Sequence, residues 1–104
     1  MTRSEPVLQL EFRSTVIHWR GPAPFFYAPI PDVHVADVRH AARRVSYGWG
    51  VIPVEATIGD VTFTTSLFPK DGGYLLPIKA DVRKRCNITV DDEVAVEMTV
   101  GPSG

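Results

Sequence analysis

The sequence predicts a mainly β protein with some helix: a small closed or partly open β-barrel of about six strands, with one long helix and one short helix. Three observations predict it. Several stretches alternate apolar and polar residues, as half-buried strands do. Glycine- and proline-rich turns separate them at short intervals, and one stretch spaces its apolar residues as a helix does. Residues 1–104 are expected to form a single domain with an ordered core over about 7–100.

Six stretches are expected to form strands. The first, 7–19, alternates apolar and polar residues and changes phase at Val16-Ile17. A bulge, or burial on both faces, would accommodate these two adjacent β-branched residues. The other five stretches are residues 24–30, 51–58, 61–68, 74–78 and 93–100.

Two stretches are expected to be helical. The long helix spans about 32–45, with Asp32 as the N-cap and apolar residues on one face. The short helix spans about 80–86. Turns are expected at Gly59-Asp60 and over 69–73, where glycine and aspartate concentrate. The predicted core contains Val38, Ala42, Ile52, Val54, Val61, Phe63, Leu76, Val94 and Val96.

The composition excludes several classes of protein. Eleven basic and twelve acidic residues give a net charge of −1, so there is no overall attraction to nucleic acid or to a membrane surface. The sequence has no long apolar run of the kind that spans a bilayer. It starts Met-Thr-Arg-Ser-Glu-Pro, without the apolar segment of a signal peptide. The single cysteine cannot form an internal disulfide. We therefore expect a cytoplasmic protein.

Four segments of the sequence carry a family resemblance. They are Trp19–Tyr27 (WRGPAPFFY), Gly48–Ala56 (GWGVIPVEA), Thr65–Lys70 (TSLFPK) and Gly73–Lys79 (GYLLPIK) followed by Arg83. Over roughly residues 8–100 the chain resembles a bacterial family of unknown function, DUF1905. The resemblance implies a small β-barrel. It supplies no activity and no catalytic residues.

A weaker resemblance covers residues 76–98 only. The order LPIK, DVRKR and ITVDDEVAV is similar to the half-repeat of AbrB-like regulators, which are swapped-hairpin barrels that dimerise and bind DNA. Asp91-Asp92 departs from that pattern, which usually has a turn residue followed by Gly-Asp. The balanced charge also argues against a DNA-binding regulator.

Five cations form a candidate site for a small anion. Lys79 and Arg83 are four residues apart, so they share a face at the start of the short helix, where the dipole favours negative charge. Lys70 lies in a glycine-rich turn whose N–H groups would help to hold an anion. We expect Lys79 and Arg83 to form the inner pair, with Arg43 or Arg44 reached through the fold and Lys70 as an outer candidate.

The predicted anion site has one geometric limit and one alternative interpretation. A plain hairpin puts Lys70 at one end of the strand 74–78 and Lys79 at the other, so only barrel curvature or a partner subunit would bring them together. The alternative is that the cations pair with surface carboxylates such as Asp71, Asp81 and Glu55, where each pair contributes little to stability.

Aromatic residues form the second candidate set. The candidates for ligand binding are Trp19, Tyr27, Trp49 and Tyr74, within a wider group that also contains Phe25, Phe26 and Tyr47. Several lie near glycine or proline, at the expected ends of strands or in loops. Aromatic side chains in such places either line a ligand pocket or plug the mouth of a small barrel.

Catalytic and metal-binding patterns are weak. His34 and His40 are six residues apart, which places them out of line on a helix, so we expect no metal and no cofactor. Asp37 and His40 have the spacing of an oriented base, yet no serine lies in a nucleophile elbow. Cys86 lies beside Lys84 and Arg85, but its helical spacing from Val82 predicts burial. No residue is assigned a catalytic role.

The function that these features favour is a non-enzymatic binding module for a small anionic ligand or a peptide. One alternative is a nucleic-acid-binding barrel of AbrB-like type, against which the net charge argues. Another is an enzyme in which a serine or tyrosine acts with Lys79 or His40. The sequence leaves the oligomeric state open between a monomer and a homodimer.

Overall fold

A computed structural model describes residues 8–19, 25–45 and 52–101, and in these ranges it contains seven strands and two helices. In chain order the elements are β1 (Leu8–Thr15), β2 (Ile17–Trp19), β3 (Phe25–Pro29), α1 (Asp32–Val45), β4 (Ile52–Ile58), β5 (Val61–Lys70), β6 (Gly73–Ile78), α2 (Ala80–Cys86) and β7 (Glu93–Val100). The predicted strand residues 7, 24 and 51 lie outside the described ranges.

The seven strands form one curled, half-barrel sheet in the order β1-β7-β4-β5-β6-β3-β2, and every neighbouring pair is antiparallel. β5 belongs to both halves of this sheet. Its residues 61–67 pair with β4, and its residues 68–70 pair with β6. The sheet therefore consists of a first half, β1-β7-β4-β5, and a second half, β5-β6-β3-β2, that share a bent strand.

The two edge strands, β1 and β2, are consecutive in the chain and separated by Val16 alone. The Val16 N–H donates to the Asp92 carbonyl and the Val16 carbonyl accepts from the Asp91 N–H, both at 2.8 Å. The Val16 side chain is fully buried. The predicted single strand over 7–19 is thus two strands, which corrects the expected strand count from about six to seven. The break lies at the predicted change of phase.

The core lies inside the curl of the sheet. Of the nine predicted core residues, seven are buried, and Ala42 and Val61 are half-buried and packed against the others. The alternation is strict in β4 and β7, where every second residue is buried. The strand phases that the sequence predicted are therefore confirmed.

The helices have the predicted bounds, with 14 residues in α1 and 7 in α2. α1 buries Val38 and Ala41 against the sheet. Asn87 caps the C-terminus of α2: its N–H donates to the Arg83 carbonyl, and its positive φ of 59° turns the chain so that the Ile88 N–H donates to the same carbonyl at 2.9 Å. Because α1 follows β3, α2 follows β6 and these two strands are antiparallel, the helices begin from opposite ends of the second half-sheet.

Both predicted hairpin turns are present and each has two residues. Gly59-Asp60 joins β4 to β5 with φ of 59° at the glycine, and Asp71-Gly72 joins β5 to β6 with φ of 51° and 82°. Positive φ at both Asp71 and Gly72 is the type I′ pattern, and positive φ at Gly59 alone is the type II′ pattern. Both turn types match the twist of paired strands. The predicted turn over 69–73 is narrower than expected because Pro69, Lys70 and Gly73 are paired strand residues.

Truncation of the core at Phe63 should strongly destabilise the fold. Phe63→Ala removes a buried ring and leaves a cavity, so the free energy of unfolding should fall by about 3–5 kcal/mol in urea denaturation. Thr64→Ala, at the next and exposed position, should cost less than about 1 kcal/mol. A similar decrease in the free energy of unfolding of both variants would contradict the assignment of Phe63 to the inward face of β5.

The β5–β6 turn supplies a matched pair of glycine substitutions. Gly72→Ala should cost about 1–2 kcal/mol, because φ is +82° there and a Cβ is strained at positive φ although it meets no atom within 4 Å. Gly73→Ala should cost less, because its Cβ would make only ordinary contacts at 3.8 and 3.9 Å. Thermal unfolding of both variants measures the difference, and an equal cost would rule out the type I′ turn.

Candidate functional site

An exposed aromatic surface covers the outer side of the second half-sheet. The register places Trp19 opposite Phe25 and Ile17 opposite Tyr27, so all four side chains leave β2 and β3 on the same face. Exposure is 36% for Ile17, 42% for Trp19 and 52% for Phe25, and Phe68 on β5 is 49% exposed. We call Ile17, Trp19, Phe25, Tyr27 and Phe68 the aromatic face.

Three rings of the aromatic face are evenly spaced. The ring centroids of Phe25 and Tyr27 are 6.3 Å apart, and those of Tyr27 and Phe68 are 6.4 Å apart. Phe68 approaches Tyr27 although β6 runs between their strands. Leu75 on β6, which is opposite both Pro29 and Phe68 in register, is only 7% exposed. The outer side of this half-sheet is therefore a packed apolar layer and not a set of isolated side chains.

Lys70 lies over this layer. Its Nζ is 3.7 Å from the centroid of the Trp19 ring, within the range of a cation–π contact. The twist of a four-stranded sheet raises two diagonally opposite corners towards the same side, and Lys70 and Trp19 occupy such corners. The Lys70 side chain is 30% exposed and Nζ is 3.6 Å from a carboxylate oxygen of Asp71, which is 86% exposed. Solvent screens that ion pair, so the Trp19 ring is the more specific partner of the ammonium.

A second cation–π contact lies on the inner side of the same half-sheet. The Arg83 guanidinium carbon is 3.8 Å from the Phe26 ring centroid, and the His18 ring stacks on Phe26 at 4.6 Å. Arg83 Nε is buried and has no hydrogen-bond partner. A buried, unpaired N–H costs free energy, so packing against Phe26 determines where this guanidinium lies.

The outer side of the first half-sheet has a different chemistry. Glu11 on β1 is directly opposite Glu97 on β7, and Arg13 forms an exposed ion pair with Glu93 at 3.1 Å. An open cleft of about 440 Å³ lies beside Glu11, Glu55 and Glu97. Among the residues 8–19, 25–45 and 52–101, no three His, Cys, Asp or Glu side chains are grouped as metal ligands would be.

The sequence of the chain matches a known family model. The family model described as "Domain of unknown function (DUF1905)" matches residues 12–98, which is most of the chain. The chain belongs to the DUF1905 family. The match confirms the stronger of the two resemblances in the sequence, and it runs from within β1 to within β7. No curated protein matches the chain. None of the helices described for this DUF1905 chain is long and apolar enough to cross a bilayer.

The fold brings only some of the predicted site residues together. Trp19, Tyr27 and Lys70 share the aromatic face, while Arg83 contacts Phe26 on the inner side.

Two other predicted cations are exposed on or next to the helices. Lys79 is exposed at the N-cap position of α2, and its side chain makes no capping hydrogen bond. Arg43 is exposed on α1, which begins from the opposite end of the half-sheet. Trp49 and the side chain of Arg44 lie outside the described parts of the structure.

Tyr74 differs from the other aromatic candidates. It is half-buried and packs against the core, so it lies on the inner side of β6. It also lines an open cleft of about 350 Å³ with Arg39 and Lys70 beside the β5–β6 turn. Arg39 donates to the Gly72 carbonyl there at 2.9 Å.

Sequence reasoning did not select Phe68 and Ile17 as site residues. The alternation in β5 contains the signal for Phe68, because burial of Leu67 turns the next side chain outward. In the sequence, Ile17 stands out only as part of the change of phase at Val16-Ile17. Its place on the aromatic face depends on the break at Val16, which moves β2 to the far edge of the sheet.

The two cations of α2 should differ in their contribution to stability. Arg83→Ala removes packing on Phe26 and should lower the free energy of unfolding by about 1–2 kcal/mol. Lys79→Ala changes an exposed side chain and should have an effect within about 0.5 kcal/mol. Urea denaturation of both variants tests this. If Arg83→Ala were as mild as Lys79→Ala, Arg83 would be a free cation and not a structural one.

Proposed function

We propose that this DUF1905 chain is a non-enzymatic binding module, and that the aromatic face with Lys70 above it is the surface that takes an anionic ligand or a peptide. The concentration of exposed apolar side chains supports the proposal most strongly. Six large hydrophobic side chains are exposed in the described ranges, and four of them (Ile17, Trp19, Phe25 and Phe68) belong to this face. The largest apolar patch on a monomeric protein is often functional, and this face is where the exposed apolar side chains of the described ranges concentrate.

The chemistry of the face fits a ligand with both apolar and anionic parts. The rings supply apolar area with little loss of conformational entropy, since each has few rotatable bonds. Lys70 supplies one positive charge, and its contact with Trp19 holds the ammonium in place before a ligand arrives. A preordered cation loses less entropy on binding than a freely moving one.

Binding is favoured over catalysis by where the titratable groups lie. The predicted pair Asp37 and His40 is exposed on α1, where solvent screens both groups. His18 stacks on Phe26 on the inner side of the half-sheet. The aromatic face therefore combines apolar rings with a cation, without a neighbouring imidazole to act as a base.

Single-stranded nucleic acid is a second candidate because exposed rings on a sheet stack on bases. Electrostatics make it the weaker one. In β2, β3, β5 and β6, Lys70 is the single Lys or Arg. Most nucleic-acid affinity comes from neutralised phosphates, so one cation would provide little binding at moderate salt.

The dye 1-anilinonaphthalene-8-sulfonate tests the proposed surface because it joins an aromatic ring system to a sulfonate. The native protein should bind it saturably, as measured by fluorescence titration. Phe68→Ser and Lys70→Met should each weaken binding about tenfold, about 1.4 kcal/mol, because one removes apolar contact and the other removes the charge.

Val33→Ser is the matched control, since Val33 is 81% exposed on α1 and lies away from the face. It should leave the affinity unchanged. Equal affinity in all four proteins, with unchanged circular dichroism, would show that the dye binds elsewhere and that the proposed surface is wrong.

A further inference from the structure

We infer that the occupant of the aromatic face is a short extended segment of another protein, with apolar side chains at alternate positions and one carboxylate that reaches Lys70. This inference rests on the proposed function and specifies the ligand of the same surface. It commits to a peptide over a second copy of the chain and over nucleic acid. Area, spacing and charge each support it.

The apolar area that the described residues of the aromatic face expose is smaller than the interface of a stable dimer. Trp19, Phe25 and Phe68 are each about half exposed. An aromatic side chain has about 150–250 Å² of surface, so these three expose roughly 300 Å² in all. Each partner in a standard protein interface buries about 800 Å². The face alone therefore suits a peptide of a few residues better than a second copy of the folded chain.

The spacing of the rings matches an extended peptide. The two successive centroid distances are 6.3 and 6.4 Å. Two residues of an extended strand rise about 6.6 Å, so side chains on one face of such a peptide repeat at nearly this interval. A helix that keeps one face to a surface takes alternating steps of three and four residues, about 4.5 and 6.0 Å. The register sets Phe25, Tyr27 and Phe68 at successive two-residue steps along the strand direction, with Phe68 displaced sideways by two strands. An extended peptide laid along the strands would therefore bring alternate side chains to the three rings in order.

The position of the ammonium gives the peptide a direction. Trp19 is opposite Phe25 in register, so Lys70, which lies over Trp19, marks the Phe25 end of the row of rings. A carboxylate at that end would pair with the ammonium in a setting that the Trp19 ring partly shields from water. Either an acidic side chain or a free C-terminal carboxylate can supply this group, because the two have the same charge and oxygen geometry.

A random dodecapeptide library displayed on phage, selected on the native full chain, tests the inference. We expect enriched peptides with apolar residues at every second position and an Asp or Glu at one end of that run. The strongest peptide is then synthesised with a fluorescent label, both as a C-terminal amide and as a free acid. Affinities are measured by fluorescence anisotropy.

Substitutions in the protein and in the peptide together identify the contact between Lys70 and the peptide carboxylate. Phe68→Ser should weaken binding about tenfold and Val33→Ser should not change it. Lys70→Met should lower the affinity for the acidic peptide about tenfold. It should leave the affinity for the Glu→Gln or Asp→Asn analogue nearly unchanged, because the effects of two groups in contact are not additive. If the free acid restores the affinity of that analogue, the C-terminal carboxylate is a second source of the same contact.

Three outcomes would overturn the inference. Enriched peptides with helical spacing or without an acidic residue would refute the proposed occupant. Selection of no peptide, together with a dimer in sedimentation that Phe68→Ser dissociates, would identify a second copy. Binding of a fifteen-residue oligothymidine at 0.1 M salt that Trp19→Ala abolishes would identify nucleic acid. In each case the dye titration still decides separately whether the aromatic face binds ligands.

Discussion

The curl of the sheet depends on the backbone pairing of Val16. One continuous segment, residues 8–19, supplies both edge strands, and Val16 is the residue at which it changes partner from β7 to β3. Its N–H and C=O both bond to the Asp91-Asp92 turn before β7. These bonds satisfy the backbone at a bend where an unpaired buried group would be costly. Because one segment supplies both edges, the curl brings the β3-β2 edge of the sheet round to β1, where the Ser14 hydroxyl donates to the Pro29 carbonyl at 2.6 Å. The aromatic face at that edge includes residues from β2, β3 and β5.

The bend in β5 has a complementary effect on the surface. Up to Leu67 the strand faces β4, and its outward side chains continue the polar, carboxylate-rich outer side of the first half-sheet. From Phe68 onward it faces β6, and its outward side chains belong to the aromatic face. One strand thus separates two surfaces of opposite chemistry.

The two cation–π contacts show how burial changes the role of a positive charge. Arg83 has a buried Nε, and its planar guanidinium packs against the Phe26 ring on the inner side of the second half-sheet, near α2. Its main contribution is therefore packing. Lys70 contacts a ring that is itself exposed, and its neighbour Asp71 is in solvent. The ammonium of Lys70 can therefore leave the solvent-exposed Asp71 carboxylate at little cost, whereas the guanidinium of Arg83 would lose packing if it moved.

The local structure of this chain could be predicted from its sequence. The alternation in β4 and β7, the helical spacing over 32–45 and the glycines of the two hairpin turns place elements at their observed positions, because these signals depend on neighbours within a few residues. The core followed from the same alternation. Which strands pair with each other in the sheet could not be predicted from these local signals. Contacts such as Lys70 with Trp19 and Arg83 with Phe26 depend on strand order, twist and the break at Val16, which join residues far apart in the chain. Only the tertiary structure could therefore decide which aromatic and cationic side chains share a surface.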